Sequence, residues 1–274
     1  MTVESLADVG RFALALGAAL VIGDSVSAWA VGSRPGDRLV VPRRIHLLGA
    51  WLAVLTALLL LFVAQAVALD LAPSTAEVAM LVRQTAWGRG WSVLAGVALV
   101  GSLLALLRAP WLLRTLVAGA LAVAMGGLGH SSADSAPIVA RGLDAVHVLG
   151  MGGWLGALLW MYRDVAHEVT RGGWQRYSRL AGVAAPVVVL SGMGSALRRF
   201  GTATVPEILG SSYGRLLLGK VAVVGLVLAL GAWHRRQLAE SESPGRLSVL
   251  TELLLAAAVL GVTALLTGTA PPGE

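Results

Sequence analysis

The feature that most constrains this chain is the repetition of long stretches dominated by Leu, Ala, Val and Gly, about 18 residues or more at a time, with few charges inside them. Stretches of that length read as helices that cross a bilayer. Strands of a membrane barrel would alternate polar and apolar residues, and these do not. The pattern predicts about eight helices, at residues 8–32, 44–69, 91–108, 111–129, 138–162, 178–199, 213–235 and 247–268. At a rise of ~1.5 Å per residue each can cross roughly 30 Å of hydrocarbon. Hydrophobic residues make up 57% of the chain and charged ones 13%, with a mean hydropathy of +0.78, more apolar surface than a soluble core can hide. The expected fold is therefore all-α, a polytopic transmembrane helical bundle, forming one integral membrane domain over 1–274 with lipid as its main solvent. No linker or internal repeat divides it.

The net charge of +6 does not point to nucleic acid, because the arginines sit in short clusters between apolar runs, where topology signals belong. Arg34, Arg38, Arg43 and Arg44 follow the first helix, Arg108 and Arg114 the third, Arg163, Arg171, Arg176 and Arg179 the fifth, and Arg235, Arg236 and Arg246 the seventh. All fall on one side. The opposite loops hold acids such as Asp70, Glu77, Asp134, Asp144 and Glu207, so the positive-inside rule places both termini outside. Residues Met1 to Gly10 lack the basic region and cleavage site of a secretory signal, and the first run is expected to remain as a helix. Between the second and third helices, Ser74 to Trp91 has an amphipathic pattern expected to lie flat on the outer surface, with Trp87 and Trp91 at interface depth.

The absence of cysteine removes disulfides, thiolate metal sites and cysteine nucleophiles, so any soft-metal site must use His and Met. No HExxH, Walker or Gly-x-Ser-x-Gly pattern is present, which favours transport, binding or delivery over catalysis. Four ionisable residues fall within spanning runs: Asp24, His147, Lys220 and Glu252. Each costs roughly 2.5–3.5 kcal/mol to insert and needs a partner or a role. His147 is roughly 13 Å below the outer surface, with Met151 one turn further along the same helix face; Met125 and Met193 are roughly 8 to 9 Å deep and Lys220 roughly 10 Å. His130 stands at the outer mouth of the fourth helix. Imidazole with thioether favours Cu(I), and added His or water suits Cu(II). Ordinary readings stand beside this one. The methionines can be packing filler, and His147 can be held by a single hydrogen bond. Lys220, the sole lysine, is a fixed charge, a counter-ion or a snorkelling residue. Asp24 and Glu252 either line an inner vestibule or bond to neighbouring groups, while His46, His167 and His234 fall at the inner surface, where solvated histidines are ordinary.

The segment Asp144-Ala-Val-His147-Val-Leu-Gly-Met-Gly-Gly-Trp154-Leu-Gly-Ala157 resembles the "HxxxxxxWxGG" motif of the CopD-type copper resistance family. Arg176-Tyr-Ser-Arg-Leu-Ala181 followed by Ser191-Gly192 resembles its "RFSrlA…TG" helix, Tyr213-Gly-Arg-Leu-Leu-Leu-Gly-Lys220 its "YGrlLllK" segment, and Thr251-Glu-Leu…Leu266-Thr-Gly-Thr-Ala-Pro-Pro272 its closing helix. The resemblance is best over residues 120 to 272 and loose before that. Ala157 in place of a second glycine and Tyr177 in place of Phe are its mild departures. It implies a multi-helix bacterial inner-membrane protein that receives or passes copper, often with a soluble periplasmic CopC-type partner, separate or fused; no such domain is expected ahead of the first helix. It also implies His147 and His130 as copper ligands and Lys220 as a motif residue, read here as electrostatic because a protonated amine cannot bind a cation. The expected arrangement is an outward-facing His/Met site between helices four to seven. Its rivals are a b-type haem electron carrier, with paired histidines on facing helices, and a structural subunit of a membrane complex.

Overall fold

The computed structural model describes residues 2–31, 40–71, 74–128, 137–164, 171–240 and 244–272, and among them the regular structure is entirely helical. The order is α1 (Val3–Val31), α2 (Val40–Ala68), α3 (Thr75–Gln84), α4 (Ala86–Leu106), α5 (Trp111–Met125), α6 (Pro137–Met151), a π-helical turn (Gly152–Gly156), α7 (Ala157–Asp164), α8 (Arg171–Phe200), α9 (Val205–Gly210), α10 (Ser212–Ala239) and α11 (Arg246–Gly268). Among the described residues seven helical segments are long and apolar enough to span a membrane, the stretch Ile138–Tyr162 through the π turn counting as one. The chain is a polytopic membrane bundle.

The fourth expected span is α5, which has 15 residues rather than the nineteen of the 111–129 reading. It covers only ~22 Å. Gly126 and Gly127 end it: the Gly127 and Leu128 amides turn back to the carbonyls of Ala124 and Met125 instead of continuing the helix. Other ends lie outside the expected ranges because polar caps extend the helices beyond their apolar runs. Thr85 caps α4 by accepting from the Gly88 amide, so that helix begins at Ala86 and not at 91. Ser74 likewise caps α3, a discrete helix of 10 residues where an amphipathic stretch was expected. Trp91 consequently lies inside a spanning helix, donating from its indole to the Leu58 carbonyl at 2.9 Å and packing on Phe62.

The short helix α9, absent from the sequence reading, joins α8 to α10. The Glu207 carboxylate accepts from the Thr204 amide at 2.6 Å and its hydroxyl at 2.8 Å, closing the first turn. These two bonds, the amide's first, hold the Glu207 carboxyl below its ordinary pKa.

Helix α1 organises the bundle. It packs against α2, α5, α7, α11 and the π turn. Its Leu14, Ala18, Val21 and Ile22 join one buried cluster with Trp51, Val54 and Leu94, while its Phe12, Ala15, Leu16 and Val26 border a second around Leu158, Met161 and Leu253. A helix that is apolar all round is what a position between two cores requires. Against lipid the bundle presents Leu59, Leu99, Leu103, Leu116, Leu190 and Leu226, all exposed.

Candidate metal centre

His147 lies on α6 where that helix packs against α8. Its Nδ1 is 3.0 Å from the Val188 carbonyl oxygen and 3.2 Å from the Ser191 hydroxyl. A carbonyl only accepts, so Nδ1 carries the proton and Nε2 keeps its lone pair. Ser191 donates its own hydrogen to the Val187 carbonyl at 2.6 Å, leaving its oxygen free to accept from the ring. Gly192 lies against the same edge of the imidazole, where an added Cβ would come within 3.1 Å of Cε1 and 3.3 Å of Nδ1. The Val188 carbonyl thus fixes the ring's tautomer, while Ser191 and Gly192 hold its orientation. A histidine tied through one nitrogen to a carbonyl, with the other nitrogen unprotonated, is prepared to ligate a metal.

The other expected ligands are distributed differently. Met193, one residue past Gly192, is 53% exposed and turns away from the bundle. Equal depth sets a layer but not a face, and on α8 this side chain faces outward. Met125 packs at the border of the α1–α2–α4–α5 cluster, and Met151 at the border of the α7–α8–α11 cluster, so the two thioethers belong to different cores. His130 and His167 lie outside the described residues. Among the described residues no group of three or more His, Asp and Glu side chains is arranged to hold a metal ion. Lys220 on α10 makes no ion pair among the described residues. Asp144, one turn before His147, accepts from Ser195 at 3.1 Å.

The remaining intramembrane charges form partnered pairs. Asp24 on α1 is 3% exposed and accepts from Arg114 Nη1 at 3.1 Å. Arg114 reads as a topology arginine in sequence, yet it lies inside α5; its place three residues past the start of an apolar run was the available signal. Glu252 on α11 is 2% exposed, with Oε2 at 2.8 Å from Nδ1 of His234 on α10, and His234 Nε2 closes a short hydrogen bond to Ser248. His234 is therefore buried and doubly engaged, which corrects its reading as a solvated surface histidine. The adjacent Arg235 and Arg236 disguised it, since only the chain's helical turn separates an inward position from two outward ones. The third described histidine, His46, packs edge-on against Trp160 with ring centroids 6.5 Å apart.

No solved structure matches the chain significantly. Residues 173–266, from the start of α8 to near the end of α11, match the family model described as copper resistance protein D. A curated protein of Pseudomonas syringae pv. tomato with that name is 31% identical over 223 residues, covering 70% of this chain and 71% of the relative. That alignment is too long to be confined to α8–α11, so it extends into the half of the bundle that the motifs left open. Together with the motif residues Ser191, Gly192 and Lys220 inside the matched segment and His147 just ahead of it, this places the chain in the copper resistance protein D family.

Proposed function

We propose that this protein takes copper at the outer face of a bacterial inner membrane, with both termini outside, and passes it inward or hands it to another protein. The observation that carries the reading is the prepared Nε2 of His147, held by Val188 and Ser191 within the bilayer region. Met151, one turn further along, is the nearest thioether by sequence, and His130 the second histidine; Met125 is the weaker addition. Lys220 and Arg199 bear on the oxidation state. A fixed positive charge repels Cu(II) twice as strongly as Cu(I) at the same distance, so cationic side chains on neighbouring α8 and α10 favour Cu(I). A soluble CopC-type protein fits as donor, because the site as built has few ligands and gains from one supplied by a partner.

Transport and static holding differ in vesicles. Wild-type protein in sealed vesicles is expected to accumulate copper under reducing conditions at a rate that His147→Ala lowers at least tenfold, whereas Met193→Ala leaves it unchanged. Uptake no faster than in protein-free vesicles would contradict transport, and equal uptake by His147→Ala would contradict the role of that histidine.

A further inference from the structure

A second polar site lies at the end of the bundle where α4 turns into α5. Arg44 near the start of α2, Arg108 just past α4 and Arg114 in the first turns of α5 converge on a cleft completed by Leu47, Ala105 and Ala109. All three arginines line this cleft, and among the described residues only Arg114 has a carboxylate partner, Asp24, at 3.1 Å. Even that guanidinium is only partly used. Its Nη1 donates to Asp24, while its Nε is buried and donates to nothing among the described residues.

Arg108 adds an independent observation. Its φ is +59°, in the left-handed region. The Arg108 amide bonds to the Ala105 carbonyl and the Ala109 amide to that of Leu104, a helix termination that ordinarily places glycine at this position. An arginine here accepts backbone strain that glycine would avoid, and it brings a third positive charge to the cleft. The cleft has a volume of about 30 Å³. That is too small for an organic metabolite but enough for one or two oxygens of a phosphate whose remainder stays in the headgroup layer. Guanidinium groups match phosphate oxygens in geometry and charge.

We infer that Arg44, Arg108 and Arg114 form a phosphate-binding site occupied by the headgroup of an anionic phospholipid. The turn between two membrane helices lies at headgroup level, and basic pockets between helix ends suit such lipids. The lipid joins α2, α4 and α5, offsetting the uncompensated positive charge and bracing the short α5. This assignment does not depend on the copper reading.

The test is thermal unfolding of the full chain in nanodiscs of phosphatidylcholine alone, of phosphatidylcholine with phosphatidylglycerol, and of phosphatidylcholine with inorganic phosphate in the buffer. Phosphatidylglycerol is expected to raise the wild-type midpoint by several degrees, with a much smaller effect of inorganic phosphate. Arg108→Gly removes a guanidinium and relieves the strain. It should melt no lower than wild type in phosphatidylcholine, yet lose more than half of the phosphatidylglycerol shift, as should Arg44→Gln. An undiminished shift in both variants would overturn the site. A full shift from inorganic phosphate alone would overturn the assignment to lipid.

Discussion

Leucine at Gly156 is expected to abolish the folded bundle, and alanine there to lower its thermal midpoint sharply. Gly156 lies in the π turn, and a Cβ on it would fall 1.7 Å from the Ala19 carbonyl oxygen; a Cβ on Gly23 would fall 2.1 Å from the Gly156 carbonyl carbon. The two backbones touch, with no flexible side chain between them to yield. Overpacking a close-packed core costs about 1–3 kcal/mol when neighbours can adjust, and more when they cannot. Small residues that let membrane helices approach are the usual means of packing them without a hydrophobic driving force. Because α1 carries both cores, displacing it from the π turn disturbs both. Gly119, where an added Cβ meets nothing within 4 Å, is the control. Gly119→Ala should leave the midpoint unchanged or raise it slightly. A Gly156→Leu protein that is monodisperse and melts with wild type would contradict the helix crossing.

The second large effect is expected at the pair joining α10 to α11. His234→Ala leaves the Glu252 carboxyl group buried without its imidazole, and a buried polar group left without its partner costs about 1–3 kcal/mol, more for a charged one. Glu252→Ala strands the imidazole instead. Ser248 still holds Nε2, so the imidazole keeps one of its two partners and this variant should suffer less. The double variant His234→Ala/Glu252→Ala should be less destabilised than the sum of the single ones, because it removes both stranded groups. Urea or thermal unfolding of the four proteins in one detergent measures the coupling. Strict additivity would mean that the two side chains do not depend on each other.

The helices were legible because each spanning element must satisfy its backbone internally and cover itself with apolar side chains, and both demands are written into runs of Leu, Ala and Val. Their ends were less so. Thr85 and Ser74 cap helices through one hydrogen bond each, a local signal that an apolar window passes over. The π turn left no mark except the glycines Gly152, Gly153 and Gly156, which are common in membrane helices for several reasons.

In the candidate site, His147 stood out because an imidazole in a spanning run needs an explanation. Its partners Val188 and Ser191 are on another helix, 41 and 44 residues away, and no spacing rule reaches them. Met193 illustrates the limit of depth as a guide: rise along a helix fixes a layer, whereas the face depends on packing. Asp24 had no visible partner for the same reason, since Arg114 is 90 residues away.

If His147 anchors a copper site, the copper content of the purified protein loaded with Cu(I) under reducing conditions measures it most directly. Wild type is expected to retain stoichiometric copper. His147→Ala should lose it, while Ser191→Ala, which leaves the imidazole with the Val188 carbonyl alone, should bind more weakly. Wild type without bound copper, or His147→Ala with an undiminished complement, would contradict the account.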